Sequence, residues 1–322
     1  MSDAIVTGVS GYSFSPSDLR IGARKEGVSA FMRIKNGAEF LEATIRSHIE
    51  HFDEIVAVYN GCTDATEEIL RALRVEYGPR LRIFHYEDRV FPPGSAGHKK
   101  TKASDPASMA NYSNFALAQT RFTTVTKLDD DHLAIETRLR DLVAHIRAGE
   151  QPPEEMWSFS GLNLAPTRSD PSMIEILERP AISGKGDIGF FRVNERSYFG
   201  YDPRFEKFAK REYVRVFKGF TYWHLKSLKA GMGFGNYELE ENPDSRFARK
   251  KAEMAYYKTL PLVRLQANPP LSLAKRLLAP FSDKAAIAVA QHAALRRGEP
   301  GETVGAALQR LSDLRILQTD LR

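Results

Sequence analysis

The stretch "SAFMRIKNGAEFLEATIRSHIEHFDEIVAVYNGCTDATEEIL", residues 29 to 70, decides the fold. It opens on a short apolar run, Ser29 to Ile34, and passes into a segment where Leu41, Ile45, Ile49 and Phe52 recur at helical spacing. "EIVAVY" (54 to 59) is a second strand. "NGCTD" is a turn cluster leading to "ATEEILRALRVEY", with Asp64 and Glu67 at the spacing of a capping box. Beyond it, "LRIFHY" (81 to 86) reads as a third strand. A segment from Glu87 to about Met109, rich in Pro, Gly, Ser and Lys, breaks the rhythm before "ANYSNFALAQT" and the strand "TVTKLD". Strand-and-crossover units in succession predict a largely parallel sheet covered by helices, because a parallel neighbour needs a long crossover to return the chain.

In such sheets ligands bind outside the carboxyl ends of the strands. "VTKLDDDHLA", residues 125 to 134, puts three carboxylates at one of those ends. In extended backbone Asp129 and Asp131 share a face and Asp130 turns away, so two carboxylates face one cation. Oxygen ligands suit Mg²⁺ or Mn²⁺, and a magnesium site commonly combines one or two protein carboxylates with substrate phosphates. The same letters also fit an acidic, solvated turn capping the helix near "ETRLRDL", and by themselves they leave both readings open.

Composition narrows the classes. With 322 residues and both charge signs well mixed, the chain is long enough for one large core, or one core plus an appendage. A net charge of +5 suits phosphorylated small molecules, anionic membrane surfaces or nucleic acid, and selects none of them. Cys62 is the single cysteine, which excludes an intrachain disulfide and a multi-cysteine metal site and points to a reducing cytoplasm. The N-terminus does not read as a secretory signal, and no stretch approaches the roughly 18 apolar residues of a membrane helix. A dinucleotide-binding dehydrogenase would need G-x-G-x-x-G after the first strand, where "KNGAEF" stands instead, and "GMGFG" near 231 lacks the spacing. A phosphatase using Asp-x-Asp with the first Asp as nucleophile would carry the motif on its first strand and Thr or Val where this chain has Leu133.

The 29 to 70 stretch resembles the opening of family 2-type glycosyltransferases of the GT-A fold, which read as strand, "vyNE", helix, "DEIVVVDdgStDgT", helix. "SMANYSNFALAQTRFTTVTKLDDDH" (108 to 132) resembles that family's helix with a late Asn, a turn, and a strand ending in the DXD metal motif. The resemblance implies a mixed, mainly parallel α/β sheet flanked by helices, a nucleotide-sugar donor, and Mn²⁺ or Mg²⁺ held by Asp129 and Asp131. It implies donor contacts at Arg33, Asn36, Tyr59, Asn60, Asp64, Lys100, Asn114, Lys127 and Asp129. Tyr59 and Asn60 stand where the family usually has an acidic pair, so a tyrosine face and an amide would meet the base there. The 87 to 109 segment is longer than the pattern, and its His98, Lys99, Lys100 and Lys102 read as a cationic lid over a diphosphate or as a soluble surface loop.

The second half is expected to supply the acceptor side. "FGYDPRFE" (199 to 206) resembles the "GGFDERF" stretch before the family's acidic catalytic motif. Inverting transfer needs a carboxylate to take the acceptor hydroxyl's proton, and the candidates are Glu212, Glu206 and Asp187, with Glu212 nearest the family position. His224 in "YWHLK" resembles the histidine that completes the metal shell in such enzymes, and a packed core histidine is the other reading. Trp157, Trp223, Tyr198 and Tyr201 are candidate ring faces for a sugar, and Lys226 and Arg215 candidate phosphate contacts. After about residue 250 the chain turns to Ala, Leu, Arg and Lys in helices broken at Pro280 and "GEPG". They pack on the catalytic domain or a second subunit, or rest on the inner face of a membrane.

The expected organisation is an N-terminal extension (1 to 27), a GT-A domain (28 to 250) and a C-terminal helical region (251 to 322). The expected function is metal-dependent sugar transfer to a glycan or lipid-linked acceptor in surface polysaccharide synthesis, in the cytoplasm, with a homo-oligomer allowed and no nucleic acid called for. The alternative is a non-catalytic nucleotide-sugar-binding or scaffold protein of the same fold.

Overall fold

A computed structural model describes residues 6–184, 188–203, 205–208 and 212–317. The fold is the mixed, mainly parallel sheet flanked by helices that the sequence predicts, with further helices at the C-terminal end. β1 (Val6–Val9), β2 (Lys25–Ile34), β3 (Glu54–Tyr59), β4 (Leu81–Tyr86) and β5 (Phe122–Lys127) run parallel in the order β1-β4-β3-β2-β5. The crossovers are α1 (Leu41–Ile49), α2 (Thr66–Tyr77) and α4 (Met109–Ala118), the last preceded by a short α3 (Ala96–Lys100) in the interrupting segment. Thus β1, from the N-terminal segment, extends the sheet beside β4.

Alternation along the central strands explains the layering, since successive side chains leave a strand on opposite faces. Ala30, Met32 and Ile34 of β2 meet Leu41, Ile45 and Ile49 of α1 in one core, while Phe31 meets Tyr112 and Phe115 of α4 in another. The helix expected from the spacing of Leu41, Ile45 and Ile49 is α1, and all three are buried. The capping box expected at Asp64 and Glu67 does not form. Asp64 Oδ1 instead accepts from the Thr66 amide and hydroxyl at 3.2 and 2.6 Å, and Glu67 pairs with Arg71 at 2.7 Å.

Past β5 the sheet turns mixed. β6 (His132–Ala134) and α5 (Glu136–Arg147) follow the acidic run, then β7 (Glu155–Pro166), β8 (Ile174–Leu177), β9 (Ile182–Ser183) and β10 (Gly189–Arg192). β11 (Phe199–Asp202) and β12 (Phe205–Phe208) form a separate hairpin, and β13 (Val214–His224) returns to the main sheet. The path continues β5-β10-β7-β13-β6, with β13 parallel to β7 and antiparallel to β6. Gly161 on β7 is required here, because a Cβ would stand 2.2 Å from the Tyr222 ring on β13.

Beyond β13 come three short 3₁₀ turns, α6 (Arg246–Met254), β14 (Thr259–Leu260), which pairs with β8, then α7 (Leu262–Ala267), α8 (Leu273–Leu278), α9 (Asp283–Arg296) and α10 (Val304–Asp313). Pro280 and the "GEPG" turn separate the last three helices, as expected. Ala294 and Leu295 of α9 and Ala307 and Leu311 of α10 close a third core with Phe220 and Trp223 of β13. Among the described residues no helix is long and apolar enough to cross a membrane.

Candidate functional site

A cleft of about 540 Å³ opens at the carboxyl ends of β2 and β5. Its floor is the acidic run. β5 ends at Lys127, Asp130 and Asp131 form a turn, and His132 starts β6. The antiparallel pairing of β6 with β13 sets His132 directly opposite His224, and the Leu225 amide donates to the Asp131 carbonyl at 2.8 Å. Asp131 Oδ1 lies 3.3 Å from His224 Nε2, and Asp129 Oδ2 lies 3.9 Å from His132 Nε2. One ligand atom from each of Asp131, His132 and His224 falls within 4.8 Å of the others.

All three carboxylates line the cleft, which corrects the expectation that Asp130 turns away. Alternation requires extended backbone, and the chain turns at Asp130 and Asp131 instead. Lys229 reaches in from the opposite side, its Nζ 3.0 Å from Asp130 Oδ1 and 3.1 Å from Asp131 Oδ2. Lys127 Nζ holds Asp129 Oδ1 at 2.7 Å.

These contacts set the electrostatics. Burial alone would raise each carboxyl. For Asp129 it is outweighed first by the Lys127 ammonium and for Asp131 first by Lys229, so both stay ionised and below the usual range. Asp130 keeps the effect of burial and of its two acidic neighbours against Lys229, and is pushed up to about 6. Burial drives the His132 imidazole down to about 3, so it is neutral and its lone pair is available. The ring stacks on Tyr222 with centroids 3.7 Å apart.

Two buried atoms test whether these residues fit a divalent cation. His132 Nε2 has no hydrogen-bond partner and Asp131 Oδ1 has only its 3.3 Å contact with His224 Nε2, an arrangement that costs free energy unless something else satisfies them. A carboxylate oxygen and imidazole nitrogens are a donor set suited to Mn²⁺, and tolerable for Mg²⁺ when phosphate and water complete the shell. The set fits. His224 Nδ1 lies 2.5 Å from Asn163 Oδ1, the outer hydrogen bond that fixes a ligating imidazole.

The other walls are cationic and aromatic. Arg33, Lys35, Lys226 and Arg246 line the cleft, and Tyr237 stacks on Phe247 at 4.0 Å. Arg33 Nη1 reaches both Ser113 Oγ and Glu206 Oε1 at 2.6 Å, while its buried Nε has no partner. Val90, Pro92, Pro93 and Met109 of the 87 to 109 segment form one rim, and residues 226 to 247 form the cover.

Of the donor contacts implied by the sequence, Arg33, Asn60, Lys127 and Asp129 line this cleft. Asn60's amide is already engaged, donating to the Tyr86 and Asp88 carbonyls at 2.6 Å each. Tyr59 lies buried with its ring stacked on His85, Asn36 and Asp64 bind backbone amides of the neighbouring loops, and Asn114 clamps the Phe199 backbone from both sides. Lys100 stands exposed on α3 outside the lining, and the cleft's cations are Arg33, Lys35 and Lys127 together with Lys226, Lys229 and Arg246.

Of the base candidates, Glu206 lines the cleft; Glu212 sits outside it with Arg196 at 3.4 Å, and Asp187 lies outside the described residues. Trp157 and Trp223 are buried in the core, and Arg215 pairs with Asp283. His132, Lys229, Tyr237 and Phe247 were not identified as site residues from sequence. The one signal for His132 was its adjacency to the triple Asp.

No protein-family model matches the chain, and no curated protein matches it. Its structure is similar to that of S. aureus TarS (residues 1–349), at 13% identity over 92% of this chain and 91% of that one, TM-score 0.36. It is similar to M. tuberculosis glucosyl-3-phosphoglycerate synthase in complex with Mn²⁺, UDP-glucose and phosphoglyceric acid, at 14% identity over 81% and 95%, TM-score 0.36. A second structure of that synthase, with Mg²⁺ and UDP, matches about half of each chain at 18% identity, TM-score 0.28. The likenesses are distant, and the function proposed for this chain rests on its cleft.

Proposed function

We propose that the protein is a metal-dependent glycosyltransferase that moves a sugar from a nucleotide-sugar donor to a glycan or lipid-linked hydroxyl with inversion. The observation that carries this is the convergence of Asp129, Asp131 and His224, with His132 buried beside them, in one cleft that Arg33, Lys35, Lys226 and Arg246 also line. A floor that holds a cation opposite a wall that holds anions suits a diphosphate ester. Asp131, His132 and His224, with Asp129 beside them, would hold Mn²⁺ or Mg²⁺, which when bound offsets negative charge on a departing diphosphate.

The chain's own groups do the rest. Arg33 has an unpartnered Nε to give a phosphate oxygen, and Lys226 and Arg246 add charge from the cover. The Tyr237–Phe247 pair offers an apolar face to a base or a sugar. Glu206, positioned by Arg33, takes the proton from the acceptor hydroxyl as its oxygen bonds to the anomeric carbon and the bond from that carbon to the diphosphate oxygen breaks.

The test is a thermal-shift panel of UDP, GDP, CMP and dTDP and their sugar conjugates, each with and without Mn²⁺, since a ligand that binds only the native state raises its apparent stability. A shift that needs Mn²⁺ is expected with one nucleotide. The double variant Asp129→Ala, Asp131→Ala should keep its circular dichroism and lose that shift, with Mn²⁺ affinity down by ~100-fold or more. An undiminished shift in the double variant would overturn the metal assignment.

A further inference from the structure

Large apolar side chains stand out of the surface together at one place, Leu273, Leu277, Leu278 and Phe281, which are 70%, 66%, 54% and 86% exposed. They belong to α8 and the 3₁₀ turn Ala279–Phe281 that continues it, and α8 buries none of its own residues. Leu273, Leu277 and Phe281 recur every four residues, so they form one stripe with Leu278 at its side. Lys275 and Arg276 border the stripe on its two sides, both exposed. Soluble proteins seldom leave such a stripe bare unless something docks on it.

The charge around the stripe says what docks. Between Leu271 and Lys284 the cations are Lys275, Arg276 and Lys284, and the one acid, Asp283, faces Arg215 at 3.4 Å. On α9, His292 is held below its ordinary pKa by partial burial and then by Arg276 and Arg296, which places Arg296 in the same cationic neighbourhood. The occupant must therefore accept apolar side chains and supply negative charge around them. A second copy of the chain answers the first demand only, because a self-complementary contact would set Lys275 and Arg276 near their own twins.

We propose that the Leu273–Phe281 helix is an interfacial anchor that lies in the surface of an anionic lipid bilayer, with the leucine and phenylalanine stripe inserted and Lys275 and Arg276 at the level of the phosphates. An amphipathic segment this short binds reversibly and depends on both its apolar area and its charge. The anchor is independent of the donor-site assignment, since no residue of the stripe lines the cleft.

Vesicle flotation of the full chain tests it, with phosphatidylglycerol–phosphatidylcholine vesicles compared with phosphatidylcholine alone. The protein should float with the anionic vesicles only. The double variant Leu277→Ser, Phe281→Ser should keep its melting temperature, since neither side chain is buried, and lose ~10-fold or more of its partitioning. Lys275→Glu with Arg276→Glu should also release it. No flotation of the wild type, or equal flotation of the serine variant, overturns the anchor. So does light scattering that shows a dimer which the serine variant splits, because the stripe is then an interface between copies.

Discussion

The floor of the cleft is held by strand backbone, with Asp131 and His132 fixed where β6 pairs with β13, whereas the cover is held by scattered side-chain hydrogen bonds to other segments. Asn236 donates to the Lys35 carbonyl at 2.5 Å, the Ala230 amide to Glu39 at 3.0 Å, and the Ala96 amide to Asn242 at 3.0 Å. Between these clips run 3₁₀ turns with few buried residues. The floor can move only if the sheet does. The cover can lift by exchanging a few hydrogen bonds for water, the low-stability behaviour expected of a segment that admits ligand.

The comparison is broken most directly by paired aromatic truncations. Tyr222→Ala removes a fully buried ring that supports His132 and fills the space Gly161 leaves, and should cost about 3–5 kcal/mol in equilibrium denaturation. Tyr237→Ala in the cover should cost within about 1 kcal/mol while weakening nucleotide binding. Equal costs would mean that the cover is as much a part of the core as the floor.

Next in size is the acid response of the floor's support. His48 on α1 is buried and driven down to about 3 from an ordinary 6.5, mainly by burial. The neighbouring Ser47 hydroxyl accepts the Ala134 amide of β6. The unfolded chain takes up this proton first, so stability present above pH 6.5 is lost as pH falls from there toward 3, at up to ~1.4 kcal/mol per pH unit. His48→Gln should flatten that part of the urea-midpoint profile.

The smallest effect sharpens the boundary between floor and cover. Lys229 is the cover's cation on the floor's carboxylates, and its own proton is held tightly because Asp131 and Asp130 outweigh its burial. A divalent ion must compete with it. Lys229→Met should lower the stability of the metal-free protein and tighten Mn²⁺ binding about tenfold, ~1.4 kcal/mol, read by titration calorimetry.

How much of this was legible follows from periodicity. β3, β4 and α1 were readable because alternation and the spacing of Leu41, Ile45 and Ile49 repeat over enough residues to be seen. β2 begins earlier than its apolar run, at Lys25, and its first two residues are exposed, so no apolar pattern marks them. β6 has three residues and no period to detect, so the pairing that sets His132 opposite His224 is a long-range fact that local reading does not contain. The cover is Gly-rich and fixed by side-chain contacts to segments up to about 200 residues away, and "GMGFGNYELE" announces none of them.

β13 counts in twos. Alongside β7 its register slips twice, between Phe217 and Phe220 and again before Tyr222, with Gly219 in the left-handed region at φ 125°. In a strand one extra residue inverts every side chain after it, and a second restores them. His224 keeps its facing because beyond the second slip it pairs with Asn163 of β7 and His132 of β6. A single-residue deletion near Lys218 would be absorbed by losing one of these bulges, since pairing with β6 and β7 keeps His224 opposite His132 and Asn163, so this stretch of β13 should tolerate length changes that the site itself would not.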